Sequence, residues 1–179
     1  MCARSSQTLD IARKSYGFFA SSDINAVLSR SEIIFWIVKV SALNEILQSA
    51  NRELLSGLEH VSFMANLSSE QFCELSGCRK VIIAMPSIAI ADGQGVIGYT
   101  PTSNMFIKDM FSRLGTSIEL AECDIEKITA FASCGLGFAA YILESFVKAG
   151  ICLGFERKTS ENIVTQTFLN ALSMSNFSD

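Results

Sequence analysis

Two hydrophobic rhythms run along the first two thirds of this chain. Helical spacing appears at Thr8 to Tyr16, where Leu9, Ala12 and Tyr16 share one face, and again at Asp23 to Ser29, with Asp23 placed as an N-cap. Between helical stretches lie short continuous apolar runs: Glu32 to Val38, His60 to Ala65 and Lys80 to Met85, the last stopped by Pro86. Such runs are expected of strands buried on both faces, as in a parallel sheet covered by helices. Ser41 to Leu55 reads as one helix. Ser68 to Leu75 opens with Ser-x-x-Gln, a capping box. Val96 to Thr100 and Ser117 to Ala121 read as further strands, flanking a helix from Pro101 to Leu114 that Gly115 ends.

After Cys123 only the helical rhythm remains, over Asp124 to Ser133, Leu136 to Leu153 and Thr159 to Met174. The pattern predicts an α/β layer over residues 1–122 and an all-helical region over 123–179. The α/β part starts on a helix. A doubly wound nucleotide-binding sheet normally starts on a strand, a Gly-rich turn and a phosphate-facing helix. The expectation is therefore a partial dinucleotide-binding domain.

Composition narrows the function classes. Of 179 residues, 49% are hydrophobic and 18% charged, so a sizeable core is expected and disorder is not. The net charge of −4 and the lack of a Lys/Arg cluster argue against nucleic acid. The most apolar run, Phe138 to Leu153, carries Glu144 and Lys148 and reads as too short to span a membrane. Met1 to Asp10 has no apolar stretch behind Arg4 and is not read as a signal peptide. The six cysteines form no C-x-x-C pair and share one histidine, His60, so no metal site is expected. Reduced thiols and a cytoplasmic location are the simplest reading.

Two glycine patterns invite a nucleotide. Gly93 to Gly98 is a literal G-x-G-x-x-G, but β-branched residues follow where a helix should open. A turn into a strand is the plainer reading. Gly135 to Ala140 matches G-x-G-x-x-A, opens a helix, and has Glu156 about 20 residues on. It reads either as a dinucleotide loop or as a helix–helix corner where glycines let backbones approach.

Lys127 to Ala171 (KITAFASCGLGFAAYILESFVKAGICLGFERKTSENIVTQTFLNA) resembles the signature of pyrroline-5-carboxylate reductases. That signature runs A-V-T-A-x-S-G-S-G-P-A-Y, then F-x-E-A, A-G-V-x-x-G-L, R and Q-T-x-x-G-A. Upstream, Phe35 to Leu43 is similar to the family's I-L-A-V-K-P-Q-x-L, and Met85 to Val96 to its M-P-N-T-P-A-x-V-G-x-G-V. Ala3 to Ser5 resembles the R-S or R-T that ends its second strand.

The resemblance implies an NAD(P)-binding Rossmann-like domain and a helical dimerisation domain that forms a homodimer or higher homo-oligomer. The implied reaction is hydride transfer from NADPH or NADH to 1-pyrroline-5-carboxylate, giving proline. It places Arg4, Val38, Lys39, Met85, Pro86 and Ser87 beside the cofactor, with Val40 and Ser87 standing where the family has proline and asparagine. It places Thr129, Ser133, Cys134 and Gly135 in a substrate loop, where Ala132 to Gly137 replaces S-G-S-G-P-A. The family's first Gly-rich loop falls before Arg4 and its S-P-G-G-x-T carboxylate-holding segment beyond Asp179.

Each residue has a blander reading. Lys39 reads as a solvated lysine, Ser87 as a turn residue, and Cys134 as a small buried hydrophobe. Glu144 is expected to pair with Lys148. Three functions compete: a reductase, a non-enzymatic dimerising fragment, and a dinucleotide binder that uses Gly135 to Ala140.

Overall fold

A computed structural model describes residues 1–174. The chain divides into two compact units, Met1–Thr129 and Ala130–Asp179.

In the first unit, helix α1 (Ser6–Tyr16) is capped by Ser5, and α2 (Ile24–Leu28) by Asp23. Strand β1 (Ile33–Trp36) follows, then α3 (Val40–Ser49), α4 (Arg52–Ser56) and β2 (Glu59–Ser62). Helix α5 (Ser69–Ser76) leads into β3 (Val81–Pro86). A short 3-10 turn, Ile88–Asp92, precedes β4 (Gly95–Tyr99). Helix α6 (Met105–Arg113), β5 (Gly115–Glu119) and α7 (Glu122–Ile128) complete the unit.

The five strands lie in the order β1-β2-β3-β4-β5. Neighbours are parallel, with Trp36 opposite Ser62 and Ser62 opposite Ile83, except that β4 runs antiparallel to β3. The exception follows from chain length. Residues 87–94 are too few for a parallel crossover, which needs about a dozen.

Period-two alternation sorts the strand residues between two cores. Val81 and Ile83 pack with Leu43, Leu47, Leu55, Phe72 and Ile125 from α3, α4, α5 and α7. Val61, Ile82, Ala84, Ile97 and Tyr99 pack with Ile107 and Phe111 of α6. The sheet is thus covered on both faces, as its apolar strands predict. β1 departs from that expectation. It is shorter than its apolar run, it ends the sheet, and Ile33, Ile34 and Phe35 are only half-buried.

Other differences have local causes. The helix expected over Ser41 to Leu55 breaks at Ala50–Asn51, because the Asn51 side chain accepts from the amides of Glu53 and Leu54 and starts a new helix. The helix expected from Pro101 begins at Met105, where Asn104 caps it. Gly115 does not end that helix but opens β5 at φ 133.

In the second unit a helical hairpin joins α8 (Gly135–Cys152) to α9 (Arg157–Met174). A Cβ added at Gly150 would meet Ser160 Oγ at 2.6 Å, which shows how closely the two helices approach there. Phe146 and Phe168 meet edge-on at 5.2 Å. Glu144 pairs with Arg157 at 3.1 Å, not with Lys148, because the hairpin folds Arg157 back onto it. Between the units the chain forms a π-helical turn, Thr129–Cys134. The run Glu122–Cys152 therefore stays helical over 31 residues, with a mean hydropathy of 1.5 in its most apolar window. The helical stretch is thus longer than either expected helix, and by length and composition alone it would reach across a bilayer.

Candidate functional site

The carboxyl ends of β1, β2 and β3 lie side by side, which is where open α/β sheets take their ligands. Val38 and Lys39 leave β1. Val38 is half-buried against the core of Leu43 and Phe72, while Lys39 is exposed and stands at the N-cap position of α3 without a side-chain bond to it. The loop after β2 passes through Asn66, the one non-glycine residue at positive φ (59°) among those described. Asparagine tolerates this left-handed conformation better than most residues. Two residues on, Ser68 and Gln71 form the predicted capping box at the start of α5.

Beside this loop opens a cleft of about 570 Å³, lined by Met64, Asn66, Ser68, Met85, Glu122 and Glu126 among others. Glu122 at the start of α7 reaches across to α5. Its carboxylate accepts the Ser69 amide at 2.7 Å and the Ser69 hydroxyl. A carboxylate facing a helix N-terminus is well placed electrostatically. Glu122 is thereby a tie between two helices rather than a free acid. Nothing in its local sequence marks this role; it needs the fold to bring residues 69 and 122 together.

Met85 and Pro86 end β3, both half-buried at this edge. Ser87 is buried. Its hydroxyl accepts the Val96 amide at 2.9 Å while its own amide donates to the Val96 carbonyl at 2.8 Å. Its oxygen is thus engaged in closing the β3–β4 hairpin, more firmly than a simple turn residue would be.

Arg4 lies before α1, where it forms an exposed ion pair at 3.4 Å with Glu45 of α3. Its segment pairs with the chain after α1 through the parallel bridge Cys2 to Ser21 and the backbone bonds that flank it.

The second group of candidates takes a different shape from the expected loop. Thr129, Ser133 and Cys134 lie within the π-helical turn, and Gly135 opens α8. The Thr129 hydroxyl donates to the Ile125 carbonyl at 3.2 Å. Cys134 is exposed, not buried, because the turn directs it away from any core. π-Turns recur at functional sites, where they reorient side chains within a helix.

Both glycine patterns lose their nucleotide reading. Gly93 is left-handed (φ 68°) after the 3-10 turn. A Cβ at Gly95 would meet the Ile90 amide nitrogen at 2.5 Å, and one at Gly98 would meet Ile128 at 2.8 Å. These glycines serve packing of a strand. Gly135 follows a π-turn and not a strand, so no strand–loop–helix surrounds it. The close backbone approach expected at that corner is not seen within the chain: nothing lies within 4 Å of a Cβ built at Gly135 or Gly137.

Beneath the strand ends, the sequence's one tryptophan and one histidine meet. Trp36 Nε1 donates to His60 Nδ1 at 3.0 Å, and His60 Nε2 faces the Leu55 carbonyl at 3.0 Å. The ring proton is thereby assigned to Nε2. Both residues also pack on Phe72. Burial lowers the His60 pKa from its ordinary value, against a smaller opposing effect of the Leu55 carbonyl. Sequence reading dismissed His60 as a lone metal ligand, and no group of three metal-ligating side chains occurs among the described residues.

The fold is similar to those of solved pyrroline-5-carboxylate reductases. The Plasmodium falciparum pyrroline carboxylate reductase with NADP bound superposes at a TM-score of 0.81 and 24% identity, over 99% of this chain and 68% of that one. The Coxiella burnetii pyrroline-5-carboxylate reductase gives 0.85 and 21%, over 99% and 69%. Residues 122–179 match the pyrroline-5-carboxylate reductase dimerisation family. Among curated proteins, the Methanosarcina acetivorans pyrroline-5-carboxylate reductase is 26% identical over 88% of this chain, and that of Corynebacterium melassecola 25% over 90%. The chain is thus similar to pyrroline-5-carboxylate reductases over most of its length, and its residues 122–179 match their dimerisation family. It spans 61% and 64% of the length of those two relatives.

Proposed function

We propose that this chain serves NAD(P)H-dependent reduction of 1-pyrroline-5-carboxylate to proline, in the cytoplasm and as a homodimer. In this reading residues 1–122 belong to the cofactor-binding domain and 123–179 to the dimerisation domain. The observation that supports it is the strand-end edge, where Val38 and Lys39 leave β1 and Met85 and Pro86 end β3, in the order of the motifs that resemble the family's.

The dinucleotide fits this edge in part. Lys39 offers an exposed ammonium to a ribose or phosphate oxygen, and Arg4 offers a second cation at the cost of its weak pairing with Glu45. Met85 and Pro86 supply an apolar floor. Ser87 keeps only its O–H to donate, since its oxygen already accepts from Val96. No strand–Gly-rich loop–helix among the described residues would grip a pyrophosphate. When bound, the nicotinamide supplies the hydride. The chain's residues orient it, and Thr129, Ser133, Cys134 and Gly135 border the imine's position in this reading.

Dimerisation is supported by the helical hairpin. Among its described residues only Val147, Ser160 and Val164 are buried, while Phe138, Tyr141 and Phe146 are each more than half exposed. So small a helical unit does not bury its apolar faces alone.

The test is NADPH titration of the purified chain, followed by NADPH oxidation with pyrroline-5-carboxylate. Saturable binding that weakens in Lys39→Glu is expected; absence of any binding refutes the cofactor reading. Among the described residues no such pyrophosphate loop occurs, which favours a second reading, a dimerising module without catalysis. Light scattering separates the outcomes. A dimer that fails to bind NADPH supports the module, and a monomer at micromolar concentration removes both.

A further inference from the structure

The sulfurs of Cys73 and Cys78 lie 3.3 Å apart. They are held there by the backbone, not by chance. Cys73 sits in the last turn of α5, and Gly77, left-handed at φ 75°, turns the chain back so that Cys78 returns to the helix end. The Gly77 amide donates to the Cys73 carbonyl at 2.8 Å. The Ser76 hydroxyl donates to the Phe72 carbonyl at 2.7 Å and accepts the Cys78 amide at 3.3 Å. From outside, Arg52 of α4 clamps the same turn, with Nη1 at 2.9 Å from the Leu75 carbonyl and 2.7 Å from that of Ser76. Every bond in this turn keeps the two side chains face to face.

A disulfide needs a sulfur separation of about 2.05 Å. The sulfurs must close by little more than an ångström, which small side-chain rotations supply. We propose that Cys73 and Cys78 form a reversible redox pair, joined as an intrachain disulfide by exchange with a low-molecular-weight disulfide such as oxidised glutathione. The half-buried Cys73 meets the reagent first; Cys78 is 7% exposed. The Cys73 thiolate attacks one glutathione sulfur and releases the other as thiol. The Cys78 thiolate then attacks the Cys73 sulfur and releases the second glutathione. Two protein thiols are oxidised, one disulfide is reduced, and two glutathione thiols are formed. Burial and the neighbouring Cys78 push the Cys73 thiol up to about 12, so the pair reacts slowly and responds to sustained oxidation, not to a brief pulse. Cys2, Cys123, Cys134 and Cys152 are exposed and meet the same reagent without a facing thiol in the described structure.

The sequence makes the test direct. No Lys or Arg lies between Arg52 and Arg79, so trypsin releases both cysteines, and no others, in peptide 53–79. The full chain is incubated with oxidised glutathione, its free thiols are alkylated, and the digest is weighed. The expected result is peptide 53–79 without alkyl groups and lighter by two hydrogens, reverting to the doubly alkylated form after dithiothreitol. The Cys78→Ser variant is expected to carry glutathione on Cys73 instead. Peptide 53–79 with both cysteines alkylated, or with Cys73 joined to Cys123, overturns the proposal.

Discussion

Replacing His60 by phenylalanine tests whether the buried Trp36–His60 pair links stability to pH. His60 is fully buried and its pKa is lowered by that burial. The unfolded chain takes up a proton below about pH 6.5, whereas the folded chain resists it. Stability is therefore fully present above that value and is lost as pH falls through it toward the folded value. The loss is at most about 1.4 kcal/mol per pH unit, and between roughly pH 7.5 and 5.5 it sums to no more than about 1.4 kcal/mol. Protonation at Nδ1 would also set a donor against the Trp36 N–H, breaking the 3.0 Å bond. In His60→Phe the ring still packs on Trp36 and Phe72, but the Trp36 N–H loses its acceptor, at a cost of about 1–3 kcal/mol. The Leu55 carbonyl keeps the Leu58 amide at 3.1 Å. The assay is urea unfolding followed by the fluorescence of Trp36, the chain's single tryptophan. The variant should be less stable at neutral pH, and its stability should not step down between pH 7.5 and 5.5. An equal step in both proteins refutes the assignment, since no other histidine is present to cause it.

Gly115→Ala should destabilise the α/β unit by roughly 2–5 kcal/mol, because the new Cβ would stand 2.1 Å from the Gly95 carbonyl oxygen at φ 133. Gly17→Ala, at φ 67 with open space around it, should cost only about 1–2 kcal/mol, so similar thermal melts for the two would contradict the packing argument. Glu122→Gln exchanges a carboxylate that accepts twice from Ser69 for an amide with a single acceptor, and should lower the unfolding free energy by about 1–2 kcal/mol; an unchanged denaturation midpoint would show that the tie is idle.

Much of the fold is legible in the residues because burial and capping are local. The Ser68–Gln71 capping box and the apolar run through Val81 to Ala84 specify their elements without outside help. The Gly93 to Gly98 pattern could be judged from the β-branched residues that follow it. What was not legible depends on distant partners. Asn51 could have been a mid-helix residue until its side chain is seen capping α4. The pairing of Glu144 with Arg157 needs the hairpin. The π-turn at Thr129–Cys134 leaves no mark in composition, since it adds no breaker and changes no apolar period clearly. At the candidate site, motif order located Lys39, Met85 and Ser87, but the engagement of Ser87 with Val96 depends on an antiparallel pairing that the apolar pattern does not encode.

β1 ends the sheet as a four-residue edge whose outward ladder no described strand occupies. Its side chains are apolar on both faces, so the usual defence of an edge by an inward charge is absent; Glu32 and Lys39 flank it instead. Two copies meeting at this edge could extend one sheet into the other. An edge of this kind is a template for strand addition, a route separate from the helical hairpin. That route adds strands rather than pairing helices, and it should be weakened by a proline placed within Ile33 to Phe35.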